Sequence, residues 1–159
     1  MNTHADVSTE RVLLFQYAPE GNRVEFITCD YLRANEYQVS AVPRRTTLCG
    51  FGDTIQTYHD KHHREIVFAG VIARSPRYRT WIVQTERYGD PVFIKAFKAI
   101  EALPGVFSAW LPSSTGAPSS GGIVAPIDAF AQTKQLIEDM ETRGAWSIVS
   151  LIGPNAAAA

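Results

Sequence analysis

Residues 65–86 read EIVFAGVIARSPRYRTWIVQTE and contain the two clearest strand patterns of the chain. Residues 65–74 and 79–86 are rich in β-branched and aromatic side chains, which favour pleated, extended backbone. Between them stands Ser75-Pro76-Arg77-Tyr78, in which the proline fixes a turn-compatible φ and supplies no ladder donor. The segment therefore predicts a β-hairpin at the centre of the chain.

The flanking sequence predicts further strands and two helices. Residues 11–17 and 23–28 favour an opening hairpin with a turn at 18–22, and residues 37–42 favour another strand. Downstream, Asp90-Pro91 provides an N-cap and an N1 proline, and Phe93, Phe97 and Ile100 follow at helical spacing, which predicts a helix over about 91–103. A second helix is predicted over about 126–143, between Pro126 and a terminating Gly144. Strands are expected at 106–111, 123–124 and 146–152.

These elements predict an α+β fold with a mixed, largely antiparallel sheet and two main helices. From Arg79 onward the order is strand, helix, strand, short strand, helix, strand, which resembles the split βαβ order of ferredoxin-like folds. Many unrelated functions share that topology, so the resemblance implies none of them. A chain of 159 residues fits one domain, expected at 10–152, with mobile tails at 1–9 and 153–159.

Composition restricts the class of protein. Apolar residues make up 45% and charged residues 19%, and no apolar run approaches the roughly 20 residues that span a bilayer. The polar N-terminus lacks the order of a secretory signal, so we expect a cytoplasmic protein without a membrane partner. Cys29 and Cys49 have no CxxC spacing, so free thiols and no cofactor are expected.

Charge is unevenly distributed. Residues 44–98 carry ten bases and five acids, whereas the segments on either side are acidic. Arginines interleaved with aromatic residues suit nucleic acid or an acidic protein surface, although strand-end arginines also simply solvate a turn. A sequence pI of about 6.4 disfavours a dedicated duplex binder. The predicted binding residues are Arg74, Arg77, Tyr78, Arg79, Arg87, Tyr88, Arg44, Arg45, Lys61 and Arg64.

Two clusters raise the alternative of an enzyme. His59, His62 and His63 would share one face of a helix, where neutral imidazoles can ligate zinc, but the pattern is not HExxH, and a solvated basic helix end is the simpler interpretation. Cys49 lies in a glycine-flanked turn that could expose a thiolate, yet no base or oxyanion donor is fixed near it. A small buried side chain is its simpler role.

The loop at residues 113–122 is rich in serine and glycine and is expected to precede a helix. Backbone donors and a helix dipole in such a place can hold phosphate. The loop contains neither a lysine nor a recognised nucleotide motif, so a flexible connector is the alternative.

Together these features favour a non-enzymatic binding or regulatory module that engages nucleic acid or an acidic protein surface through a basic β-hairpin. One alternative is a small metal-assisted hydrolase at His59, His62 and His63, or a thiol enzyme at Cys49. Another is a structural subunit that forms a homo-oligomer.

Overall fold

The computed structural model describes residues 8–17, 19 and 21–154, which form nine strands and two helices. The first five strands are β1 (Thr9–Gln16), β2 (Arg23–Arg33), β3 (Glu36–Val39), β4 (Thr54–Asp60) and β5 (Glu65–Ala73). They are followed by β6 (Tyr78–Thr85), α1 (Pro91–Glu101), β7 (Phe107–Leu111), β8 (Ser119–Pro126), α2 (Phe130–Thr142) and β9 (Ser147–Ile152). The predicted α+β class with two helices is confirmed. The predicted tails fall mostly outside the described residues, although Thr9 already belongs to β1, and the single-domain assignment stays a prediction.

Strands β1 to β5 form a closed barrel in which each strand runs antiparallel to the next. Four antiparallel steps leave β1 and β5 pointing the same way, so the barrel closes through a parallel pairing of Val12 with Ile66 and Leu13 with Val67. The predicted opening hairpin is confirmed as the β1–β2 pair. Alternate residues point inward and form the barrel core, which includes Val12, Leu14, Ile27, Cys29, Val39 and Ile55.

Strands β6 to β9 form a second sheet in the order β7-β8-β6-β9, with antiparallel neighbours. With α1 and α2 in the connections, this is the split βαβ arrangement of ferredoxin-like folds, as the element order predicted. The helices cover one face of the sheet, and their core includes Trp81, Val83, Phe93, Ile100, Ile137 and Trp146.

The prediction of a central hairpin is wrong. Both of its strands exist, but β5 pairs with β1 and β4 in the barrel, whereas β6 pairs with β8 and β9 in the second sheet. Residues 74–77, the linker, carry the chain from one sheet to the other. The Ser75 hydroxyl accepts hydrogen bonds from the amides of Arg77 and Tyr78, which turns the chain, and the Ser75 amide donates to the buried Asp53 carboxylate at 2.8 Å.

Asp53 joins two segments of the chain, its own loop before β4 and the linker. Besides the Ser75 amide, its side chain accepts from the Gly50 amide at 2.8 Å and from the Arg74 guanidinium at 2.8 Å. Asp53 is almost fully buried, and a carboxylate is stable there because these donors replace its lost hydration.

The face of the second sheet that is opposite the helices is covered by residues 40–53, which we call the docking loop. The Phe51 amide donates to the Thr80 hydroxyl at 2.9 Å, and the Phe51 ring lies edge-on to Tyr78 and Phe107. At Gly122 the docking loop lies so close that a Cβ would sit 1.9 Å from the Pro43 carbonyl oxygen. Strand β6 is therefore buried on both faces, and four consecutive residues (80–83) are inaccessible.

The helix ends follow the sequence signals. The Asp90 side chain accepts from the Phe93 amide at 3.0 Å at the start of α1, and Gly144 follows α2 with a φ of 81°. The second helical segment opens with a 3-10 turn, Ile127–Ala129, before α2 proper. Among the described residues neither helix has the length and apolarity needed to cross a bilayer.

We expect Asp53→Ala to lower the free energy of unfolding by about 3–5 kcal/mol, because it leaves buried donors without their partner. The matched control is Glu36→Ala, which removes a carboxylate whose bond to Arg33 lies on the surface at 3.0 Å and should cost less than about 1 kcal/mol. Urea unfolding of both variants measures the difference. Equal losses would show that Asp53 does not hold the segments together.

We expect Gly122→Ala to destabilise the protein by about 1–3 kcal/mol, because the new methyl group must displace the docking loop backbone. Gly70→Ala is the control, since a Cβ there meets nothing within 4 Å. Thermal unfolding of the two variants tests the close contact. A Gly122→Ala protein as stable as Gly70→Ala would contradict it.

Candidate anion-binding cleft

Glu25 lies at an inward position near the start of β2 and fixes part of the docking loop. Its buried carboxylate accepts hydrogen bonds from three consecutive amides, those of Arg44 (2.7 Å), Arg45 (3.0 Å) and Thr46 (2.9 Å). The Arg44 Nε lies 3.7 Å from the same carboxylate. Successive backbone amides that converge in this way form a concavity for an anion, and here the protein supplies its own carboxylate.

The Gln16 side chain holds the next residue of the loop. It accepts from the Thr47 amide at 3.0 Å and donates to the Thr47 hydroxyl at 2.6 Å. With Glu25 and Gln16 both engaged, the backbone on either side of Arg45 is fixed. The exposed Arg45 side chain makes no ion pair with another described residue.

Arg45 lies at a cleft of about 490 Å³ between the barrel and the second sheet. The barrel contributes Gly21, Arg23 and Arg45, and the sheet contributes Gln84 and the connection from β7 to β8. The connection lines the cleft with the hydroxyl-bearing residues Ser113, Ser114 and Thr115, and β8 adds Ser120. The exposed guanidinium of Arg45 and several neighbouring hydroxyl-bearing residues, with no carboxylate among the described lining residues, suit an anionic group.

The connection is ordered by its own hydroxyl groups. The Ser119 hydroxyl accepts from the Ser113 amide at 2.9 Å, and the Ser113 hydroxyl lies 3.3 Å from that of Thr115. The prediction that the 113–122 loop precedes a helix is wrong, because Ser119 already begins β8. No helix dipole therefore supports an anion here, and the positive charge comes from Arg45 of the docking loop.

Four of the predicted binding arginines are bound within the fold. Arg74 donates to Asp53, Arg44 lies beside Glu25, and Arg87 lies 3.6 Å from Asp90. Arg79 donates to the carbonyl oxygens of Ser75 and Tyr78. These side chains stabilise turns and the connection between the sheets. The sequence alone does not distinguish arginines in that role from arginines on a basic surface.

The remaining predicted residues are dispersed. Arg77 is exposed and lines a second cleft of about 550 Å³ together with Tyr78 and the acidic Asp30. Lys61 and Arg64 are exposed in the β4–β5 turn, at the opposite end of the nine-residue β5, a separation of about 30 Å. Tyr88 packs beside Phe93 and is 44% exposed. The structure thus places only Arg45 of the predicted set in the anion cleft, and the binding role of the others stays a prediction.

The histidines do not lie on a helix, so that premise is wrong. His59 belongs to β4, and His62 and His63 form the turn that follows. The Asp60 carboxylate accepts from the amides of both turn residues and lies 2.7 Å from the His63 ring nitrogen Nδ1. The His63 contact and the two amides lower the pKa of Asp60 below 3.8. Among the described residues no three such side chains are arranged to hold a metal ion.

Both cysteines are buried in the barrel core, so the interpretation of Cys49 as an exposed nucleophile is wrong. Burial, with a smaller contribution from Asp53, raises the pKa of the Cys49 thiol well above its usual value. Burial raises the pKa of Cys29 to about 12, with a smaller contribution from Asp30. A high pKa keeps both groups as unreactive thiols.

Sequence reasoning missed the residues that build the cleft around Arg45. Glu25 and Arg23 occupy inward positions of an otherwise apolar alternation in β2, and this pattern is the signal that could have identified them. Gln84 carries no such signal, because it comes near Arg45 only after the two sheets have packed together.

We expect neither thiol of the native protein to react with a small disulfide reagent at pH 8, whereas both react after unfolding in urea. Burial blocks access, and the raised pKa values leave almost no thiolate at that pH. The absorbance of the released thiolate measures the reaction. Rapid modification of the folded chain would contradict the buried placement.

Comparison with known proteins identifies the fold and no family. No protein-family model matches the chain, and no curated protein matches it. It is similar to a solved structure described as "Novel crystal structure of a hypothetical protein from Neisseria gonorrhoeae", with a TM-score of 0.59 and 10% sequence identity. The match covers 89% of this chain and 92% of that chain. At this identity the likeness shows a shared fold alone.

Proposed function

We propose that this chain is a non-enzymatic binding module that holds an acidic segment of a partner protein, with a carboxylate of that segment bound at Arg45. The observation that carries the proposal is the anion cleft, where Arg45 stands among hydroxyl groups and no described lining residue is acidic. A basic β-hairpin, expected from the sequence, has no part in it, because β5 and β6 belong to different sheets.

Arg45 is suited to this role by its setting. A guanidinium group can donate two parallel hydrogen bonds to a carboxylate, and serine or threonine hydroxyls can donate further ones. Glu25 and Gln16 fix the backbone around Arg45 before any ligand arrives, so less conformational entropy is lost on binding.

An acidic protein segment fits the cleft better than nucleic acid does. Nucleic acid binding draws its affinity from a succession of phosphate contacts along a basic track. Here Arg74, Arg44 and Arg79 have partners within the fold, and Lys61 lies at the far end of the barrel. Single-stranded RNA is commonly stacked on the open face of a ferredoxin-like sheet, but the docking loop covers that face.

The test measures fluorescence anisotropy of a fluorescein-labelled oligoglutamate peptide. Arg45→Ala should weaken its binding about tenfold, the effect of losing one charge-assisted hydrogen bond of about 1.5 kcal/mol. Arg77→Ala is the matched control, because it removes an equally exposed loop arginine outside the cleft and should have little effect. Arg45→Lys should restore part of the affinity, since it keeps the charge without the fork geometry.

Two results would contradict the proposal. One is an equal dissociation constant for Arg45→Ala and the wild type, when thermal unfolding curves show that both proteins are folded. The other is equal loss in Arg77→Ala, which would indicate a diffuse electrostatic attraction. An oligothymidylate probe that binds more tightly than oligoglutamate and depends on Arg45 would transfer the site to nucleic acid.

A further inference from the structure

The outer surface of the barrel carries apolar side chains in register across four strands. Phe26 of β2 lies opposite Leu13 of β1, Leu13 lies opposite Val67 of β5, and Val67 lies opposite Tyr58 of β4. In the next row Phe15 lies opposite Val24. We call these residues the apolar wall: Leu13, Phe15, Val24, Phe26, Tyr58 and Val67.

The side chains of the apolar wall are more exposed to solvent than large apolar side chains usually are. The exposed fractions are 40% for Phe26, 42% for Phe15, 44% for Val24 and 52% for Tyr58. Beside it, Tyr17 is 82% exposed and lies edge-on to Phe15. These side chains cannot turn inward, because their neighbours along each strand already fill the barrel core.

The exposed area matches what a dimer needs. One aromatic side chain presents about 200 Å² when fully exposed. At their exposed fractions, the three aromatic residues of the wall and the adjacent Tyr17 together leave on the order of 400 Å² accessible to solvent. A standard interface buries about 800 Å² per partner, of which about 65% is apolar in homodimers. With Leu13, Val24 and Val67 added, the wall approaches the apolar core of one such interface.

The edge of the wall has balanced charge. The Arg11 guanidinium lies 4.0 Å from the centre of the Phe26 ring and 3.7 Å from the Glu65 carboxylate. An apolar centre with a polar, neutral rim is the usual anatomy of an interface, and it allows two identical surfaces to meet without repulsion.

We propose that the apolar wall is the interface of a symmetric homodimer, and that its occupant is a second copy of this chain. In the described part of the chain the five strands close into a barrel through the β1–β5 pairing, which favours a partner that meets the wall face to face over one that extends a sheet. A two-fold contact places the same patch on both sides, and each wall then covers the other. The wall shares no residue with the lining of the anion cleft, and the dimer does not depend on the acidic-segment proposal.

Sedimentation equilibrium of the full chain tests the interface. The wild-type mass should rise from monomer to dimer as concentration increases. Phe15→Glu should raise the dissociation constant at least about tenfold, because it would bury a carboxylate among the apolar side chains of the wall. Tyr58→Glu is a second wall variant in case the first fails to fold. Ile94→Glu is the matched control, since Ile94 is 40% exposed, close to the 42% of Phe15, but lies on α1, and it should dimerise like the wild type.

A photoreactive benzoylphenylalanine at position 26 identifies the occupant. In a mixture of two differently tagged copies it should cross-link one copy to the other, whereas the same group at position 94 should not. The proposal is overturned if the wild type stays monomeric up to its solubility limit. It is equally overturned if Ile94→Glu disrupts dimers as much as the folded wall variants do.

Discussion

The buried carboxylate of Asp53 is the contact on which the arrangement of the two sheets depends. It lies just before β4, yet it accepts hydrogen bonds from the docking loop at Gly50 and from the linker at Arg74 and Ser75. The linker follows β5, so the same carboxylate joins the start of β4 to the end of β5, which lie side by side at one end of the antiparallel pair. Because Ser75 is held there, the chain turns out of the barrel and β6 enters the second sheet.

The docking loop connects the Asp53 contact to the candidate binding cleft. Glu25 and Gln16 hold its first part, Asp53 holds its last part, and Phe51 bonds directly to the sheet at Thr80. The loop thereby covers the sheet face that ferredoxin-like proteins often use for ligands. It also places Arg45 opposite the serine-rich connection between β7 and β8. The candidate site is therefore a cleft between the barrel and the second sheet, and not a surface of either one alone.

Local patterns predicted most of the elements, although not β4, and they could not predict which strands pair. Alternation identified β1 and β2, and the Asp90-Pro91 start and Gly144 stop identified α1 and α2, because these signals act within a few residues. The false hairpin arose because sequence adjacency of β5 and β6 was taken as pairing. What separates them is a bond to Asp53, a residue more than twenty positions earlier that looks like any loop carboxylate.

The candidate site was predicted only in part, for a related reason. Exposed and internally bonded arginines look alike in sequence, so Arg45 could not be distinguished from Arg74. The histidines were assigned to a helix by their spacing, whereas Asp60 accepts the amides of His62 and His63 and closes a turn instead. The apolar wall was missed because outward aromatic residues satisfy the same alternation as inward ones.

If Asp53 holds the docking loop and the linker together as firmly as the strands of each sheet are held, amide hydrogen exchange by NMR will show it directly. We expect the amides of Gly50 and Ser75 to exchange as slowly as those in the middle of β6, while the turn amides of His62 and His63 exchange fast. Exchange of Gly50 and Ser75 at the rate of that exposed turn would contradict it.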